Sequence, residues 1–250
     1  MIVLRTAKEI EKMRKACQIS AGALQAAGEA VKPGITTYEL DQIAYRYIKS
    51  CGAEPNFLNL YGFPATACIS INDEVIHGIP SKTRILQEGD IVSIDLGAKV
   101  DGYNGDNAAT FAVGKISEEA KRLCDTTRES LYKGIEQAVA GNRIGDIAYA
   151  VQSYCEERGY SVVREYTGHG VGTKLHEDPS VPNFGTAGRG QRLLPGMTIA
   201  IEPMINMGKK EIKQTPDGWT VKTLDGKLSA HFEHTIAITS NGPLILTQIL

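Results

Sequence analysis

No apolar run in this 250-residue sequence is long enough to cross a bilayer, and Met1-Ile-Val-Leu-Arg passes straight into charged residues without an apolar signal core. Neither a spanning helix nor a secretory leader is expected. An excess of one charge is missing too. The 27 lysines and arginines nearly balance 29 aspartates and glutamates, so the formal charge of -2 offers no footprint for nucleic acid or an acidic membrane. Cysteine is sparse and unpatterned. Cys17, Cys51, Cys68, Cys124 and Cys155 are odd in number, scattered, and never form C-x-x-C, which argues against a disulfide framework and a thiolate zinc site. Free thiols predict a reducing compartment, the cytoplasm. No low-complexity linker interrupts the chain, so one domain is expected over residues 1–250.

What is present is periodic. Residues 7 to 31 place Ile10, Met13, Cys17, Leu24 and Ala27 near a 3.6-residue period and stop at Lys32-Pro33-Gly34, which predicts a long amphipathic helix. Thr36 and Glu39 have capping-box spacing for a second helix, to about Gly52. From Cys68 to about Val113 the period falls to two, with Gly, Pro and Asn-Asp punctuation, as strands and hairpins require. The programme then restarts: a helix over 118–140, another from near Asp146 to Gly159, and strands to the C-terminus. Helix, helix, strands thus occurs twice, in halves of about 7–116 and 117–250, although few residues are identical between them. An α+β class follows, with an antiparallel sheet core and two helix pairs.

Two carboxylates stand out against this frame. Asp95 and Asp106 flank Asp101-Gly102, a two-residue hairpin turn. With Val100 opposite Tyr103, Asp95 faces Ala108 and Asp106 becomes its diagonal neighbour, roughly 7 to 8 Å away at the backbone. Two solvent-facing aspartates would satisfy that spacing equally well. The composition of the strand faces favours a site: Glu202 shares a face with Thr198 and Ala200, Glu233 with Thr235 and Ala237, and Asp95 with Ser93. A solvated face would carry Lys, Gln or Arg, whereas acids among small residues predict an enclosed polar site. Four buried unpaired carboxylates could not stay ionised without cations. In Thr167-Gly168-His169-Gly170-Val171-Gly172 bulk is stripped from around one imidazole so that the backbone can approach something closely, yet no phosphate-loop spacing is present. Four carboxylates and an imidazole make an oxygen-rich set suited to Mn, Fe, Co or Zn, with room for two bridged ions. His231 and His234 are expected to be structural or to steady a neighbouring carboxylate.

The ordered set Tyr61-Gly-Phe-Pro64, Cys68-Ile-Ser-Ile-Asn72, His77-Gly-Ile-Pro80, Ile94-Asp95, Gly105-Asp106, Gly168-His-Gly170, His176-Glu177, Ile201-Glu-Pro-Met204 and Glu233-His-Thr235 resembles the bacterial type I methionine aminopeptidases, metallopeptidases of the pita-bread fold. The resemblance implies that Asp95, Asp106, His169, Glu202 and Glu233 ligate two divalent ions. It makes His77 and His176 catalytic imidazoles outside the ligand set, and places Tyr61, Phe63, Cys68 and Trp219 around the methionine side chain, with Glu202 also accepting the proton of an attacking water. Trp219 could instead be a loop anchor. The implied substrates are nascent chains beginning with Met and a small second residue, met near the ribosome; with no evident apolar patch, a monomer is expected. The sequence departs from the family at Leu175, where phenylalanine is common, and over Phe57 to Leu60. Two rivals keep the fold: an Xaa-Pro aminopeptidase, which would usually carry a further N-terminal domain, and a metal-free binding protein, which should have lost ligands and gained a basic surface.

Overall fold

The computed structural model describes residues 1–248. Each helix is started by a side chain that takes up free backbone N–H groups. Thr6 and Glu9 form a capping box ahead of α1 (Ala7–Glu29), and Thr36 and Glu39 form the expected one ahead of α2 (Thr37–Ser50). Ser117 caps α3 (Glu118–Glu136), and the Asp146 carboxylate accepts from Arg143 N to start α4 (Ile144–Glu156). Asp146 therefore lies inside the first turn rather than ahead of it. The third helix stops at Glu136 rather than 140 because the following chain is recruited elsewhere: Gly141 N donates to Leu193 O, and Leu193 N to Asn142 O.

After α2 come β1 (Glu54–Pro55), a 3-10 turn at Leu60–Gly62, β2 (Ala67–Ile71), β3 (Glu74–Ile76), β4 (Ile91–Val100) and β5 (Tyr103–Ala112). After α4 come β6 (Ser161–Val162), β7 (Gly168–Gly170), β8 (Glu177–Val181), β9 (Thr198–Ile201), β10 (Met204–Asn206), β11 (Ile212–Gln214), β12 (Val221–Thr223), β13 (Ser229–His231), β14 (Glu233–Thr239) and β15 (Gly242–Ile245). Nine strands form one antiparallel sheet along the path β1-β4-β5-β14-β9-β7-β8, with β2 also on β4 and β15 also on β14. The β5–β14 pairing joins strands of the first half to strands of the second.

The helix pairs bury apolar faces against this sheet. Leu40, Ile48, Ile69, Ile94 and Leu96 anchor one core under α1 and α2, and Leu123, Ile147, Ile199, Ile201 and Ile238 anchor another under α3 and α4. Each such fully buried side chain contributes about 1.5–3 kcal/mol. α1 presents Ala16, Cys17, Ser20 and Ala21 to β5, and it comes so close that a Cβ on Gly105 would meet the Cys17 backbone. The residue after Gly105 is Asp106, so this contact fixes the backbone beside one of the carboxylates singled out in the sequence.

Candidate metal centre

The β4–β5 hairpin has the expected register. Val100 pairs with Tyr103 through a turn whose residues Asp101 and Gly102 both have positive φ, Asp95 pairs with Ala108, and Gly97 pairs with Asp106. Across the next ladder Ala108 also pairs with Glu233, so Asp95, Ala108 and Glu233 form one row over three strands. His234 pairs with Ile201, and continuing that register brings Glu202 level with Glu233. Asp106 lies two residues before Ala108, on the same face.

β7 delivers the imidazole from the other side. His169 Nε2 lies 3.6 Å from Asp106 Oδ2 and 3.5 Å from Glu202 Oε1. One potential ligand atom from each of Asp106, His169 and Glu233 falls within 4.8 Å of the others. The ring's Nδ1 is 2.9 Å from Gly170 O. A carbonyl can only accept, so Nδ1 carries the proton and Nε2 presents its lone pair to the carboxylates. The glycines around His169 leave room for protein backbone: a Cβ on Gly168 would meet Ala200 O in β9, and one on Gly170 would meet Asp178 O in β8.

Titration behaviour reflects this crowding. Burial pushes the Asp95 carboxyl up to about 7. Burial and then the Asp95 charge raise Asp106 well above the usual carboxylate range, and Glu202 and Glu233 are raised by burial and by neighbouring carboxylates. Burial, reinforced by His176, brings His169 down to about 4. Asp95 Oδ1, Asp106 Oδ1 and Glu233 Oε1 are buried with no hydrogen-bond partner. Mutually repelling carboxylates with idle oxygens, facing an imidazole lone pair, are a donor set that fits divalent cations.

Above this floor opens a cavity of about 430 Å³. All the residues expected around the substrate line it: Tyr61, Phe63, Cys68, His77, His176 and Trp219. Trp219 lines the cavity from within a fixed turn. The Asp217 carboxylate accepts from Trp219 N and Thr220 N, which anchors the turn, while the indole stands edge-on to Phe63 at 5.2 Å. Tyr61 is 77% exposed and stacks on His176 at 6.0 Å, so it flanks the mouth. His77 has φ 60°, a left-handed conformation held by Ile69 N donating to Gly78 O and by Gly78 N donating to Ser70 Oγ. Burial and then the nearby His176 bring His77 down to about 4, and burial lowers His176, so both rings are neutral near pH 7.

Tyr166 and Thr167 also line the cavity, with Tyr166 edge-on to His77 at 5.6 Å. Sequence reasoning missed both; their one signal is their place just before the Gly168-His169-Gly170 segment. Phe57, Leu60 and Leu175, the positions that depart from the family pattern, form part of the apolar wall. The two remaining histidines divide. His234 turns to the opposite face and meets Thr247 Oγ1 at 2.8 Å, whereas His231 Nε2, buried and without a hydrogen-bond partner, lies 3.7 Å from Glu202 Oε2.

Comparison with known proteins agrees with this geometry. The chain is 55% identical over 249 residues to a methionine aminopeptidase of Clostridium perfringens, covering 100% of both chains. It is 52% identical to methionine aminopeptidase 1 of Bacillus subtilis, again over 100% of each. The crystal structure of the Thermotoga maritima methionine aminopeptidase superposes with a TM-score of 0.98 at 45% identity, covering 99% of this chain and 100% of that one. The antiparallel sheet with two helix pairs is accordingly the pita-bread architecture. The family model described as metallopeptidase family M24 matches residues 11–240, and this chain belongs to that family of divalent-metal peptidases.

Proposed function

We propose that the chain hydrolyses the peptide bond after an N-terminal methionine, in nascent proteins and peptides whose second residue is small. One observation carries this reading: a cavity walled by aromatic and apolar side chains lies over a floor of carboxylates whose oxygens lack partners. Asp95, Asp106, His169, Glu202 and Glu233 would hold two divalent ions, Mn, Fe, Co or Zn, and the chemistry these would supply when bound is Lewis acidity and a lowered water pKa. Glu202 takes the proton given up by the attacking water and returns it to the departing nitrogen, so that a neutral amine leaves. His176 and His77, being neutral, offer one N–H each, His176 to the carbonyl oxygen and His77 on the side of the departing nitrogen, as the tetrahedral species forms. Phe63, Cys68 and Trp219, with Tyr61 at the mouth, enclose an unbranched thioether. The substrate's free α-amine, as the neutral amine, would be bound at the ion site that the carboxylates and His169 form, which confines cleavage to the terminal residue.

The five cysteines are free, and among the described residues no helix is long and apolar enough to cross a membrane. The free thiols support a reducing compartment, the cytoplasm; a monomer acting as chains leave the ribosome belongs to the same proposal.

The test is methionine release from Met-Ala-Ser by metal-stripped protein, with Mn, Fe(II), Co or Zn restored one at a time. Metal-dependent cleavage that fails on Leu-Ala-Ser is expected. Preference for any residue before proline would move the chain to the Xaa-Pro peptidases, and silence with every metal would leave a binding protein.

A further inference from the structure

Glu177 opens β8 directly after His176, yet unlike His176 it does not line the cavity. It does not reach open solvent. Oε1 accepts from Lys174 N at 3.0 Å and Thr173 Oγ1 at 3.4 Å, within the loop that carries Leu175 and His176. Oε2 accepts from Arg5 Nη2 at 2.5 Å. The Arg5 side chain is only 3% exposed, and its other terminal nitrogen, Nη1, donates to Thr198 Oγ1 at 2.9 Å. Thr198 opens β9, the strand that leads to Glu202, and its hydroxyl donates to Val171 O at 2.6 Å. Arg5 N is fixed as well, donating to Gly196 O just ahead of β9. Gly172 leaves the space that this arrangement needs, because a Cβ there would run into the guanidinium.

One rigid planar fork therefore spans two elements: one prong holds the loop that ends in His176, and the other holds the start of the strand that leads to Glu202. Nothing else in the proposed reaction uses Arg5 or Glu177. We infer that Arg5, acting through Glu177, is a positioning residue that sets His176 in register with Glu202. Neither residue lines the cavity, and β9 is also held by its ladders to β14 and β7, so removing either should misplace His176 while leaving the metal-binding carboxylates in place. The kinetic part of this inference rests on the methionine aminopeptidase reading; its geometric part does not.

The experiment uses the full-length, metal-loaded protein and the substitutions R5M, R5K and E177Q, with D178N as control. Asp178 pairs with the exposed N-terminal amine and has no part in the fork. Turnover and KM for Met-Ala-Ser, metal content, and the imidazole NMR signals of His176 are measured together. R5M should lower kcat by about 10- to 100-fold with KM changed by about twofold or less, as a displaced catalytic group requires. Metal content should stay at the wild-type level, and the His176 signals should shift. R5K, which can reach one acceptor at a time, should recover part of the loss. E177Q should resemble R5M, and the double variant should be no worse than the poorer single one. D178N should behave as wild type. Wild-type kcat and unmoved His176 signals in both R5M and E177Q would overturn the inference, as would additive losses or a fall in activity matched by lost metal. Displaced His176 signals in R5M, in a protein whose wild type fails to cleave Met-Ala-Ser, would discard the enzymatic reading and keep the positioning role.

Discussion

Thr235 lies on the same face of β14 as Glu233, and its hydroxyl donates to Asp106 O at 2.7 Å while accepting from Asp106 N at 3.2 Å. Both backbone groups of a proposed ligand are thus satisfied by one side chain. Thr235→Val keeps the shape and β-branching but leaves those groups buried without partners, at a cost of about 1–3 kcal/mol. Affinity for Mn should fall by about 10- to 100-fold, as it does when a ligand loses its support; a titration that matched wild type would show that Asp106 is held by the sheet alone. His176→Ala should separate differently, losing about 10²- to 10⁴-fold in turnover with metal content intact. Loss of metal together with activity would instead make His176 a ligand. The carboxylates were legible in the sequence because an acid among Ala, Ser and Thr is anomalous on a strand face. The roles of Thr235 and Arg5 were not, because which groups a hydroxyl or a guanidinium meets is settled by cross-strand register and by a segment far away in the chain.

At the scale of elements, β7 shows where pattern reading stops. Three residues carry no period, and Gly168 and Gly170 would ordinarily signal a loop. In the fold they are required because β7 is pressed between the backbones of β8 and β9, so the close approach inferred from the glycines is to protein. Gly168→Ala should push a methyl group against the Ala200 carbonyl, two residues from Glu202. Backbone cannot yield as a side chain would, so a loss of about 1–3 kcal/mol in stability is expected, together with weakened metal binding. Thr36→Ala serves as the contrast: it removes the cap of α2 and should cost about 1 kcal/mol in thermal stability without altering kcat. Equal effects of the two on metal affinity would refute the special place given to β7. Capping boxes, helical periods and the Asp-Gly turn were readable because each is decided within a few residues. The early end of α3 was not, since Leu193 draws the chain away.

Across the whole molecule, one hydrogen-bonding device occurs twice. Gly34 N donates to Leu86 O and Leu86 N to Ile35 O; Gly141 N donates to Leu193 O and Leu193 N to Asn142 O. Bridges Thr36 to Ile85 and Arg143 to Arg192 extend the same correspondence, and Asp95 and Glu202 follow Leu86 and Leu193 at equal spacing. Within this turn the halves share Gly34 with Gly141 and Leu86 with Leu193, while Ile35 and Asn142, Thr36 and Arg143, and Ile85 and Arg192 differ, because backbone groups make these bonds whatever the side chain. Each half supplies two carboxylates to one floor, so the charge problem belongs to the molecule as a whole. Without metal, the folded protein keeps protons on groups that the unfolded chain releases: Asp95 holds its proton up to about pH 7, and Asp106, Glu202 and Glu233 titrate well above the ordinary range. Their contribution to stability is fully present below about pH 4 and is lost as pH rises through the folded-state values, at up to about 1.4 kcal/mol per group per pH unit. The buried histidines work in the opposite direction. His77, His169 and His234 are held down to about 4 and His231 to about 3, so they favour folding above the unfolded-state value of 6.5 and lose that contribution only as pH falls below it. Between about pH 4 and 6.5 the two sets oppose each other, whereas from 6.5 to 8 the carboxyls act alone. Metal-stripped protein should therefore melt at progressively lower temperature across pH 6.5 to 8. Saturating Mn should abolish that decline, because the cation's charge then compensates the ionised carboxylates. Melting curves at several pH values, with and without Mn, decide the matter. A metal-stripped protein equally stable at pH 6.5 and 8 would mean that the four carboxyls ionise freely and that the floor is already neutralised by some other group.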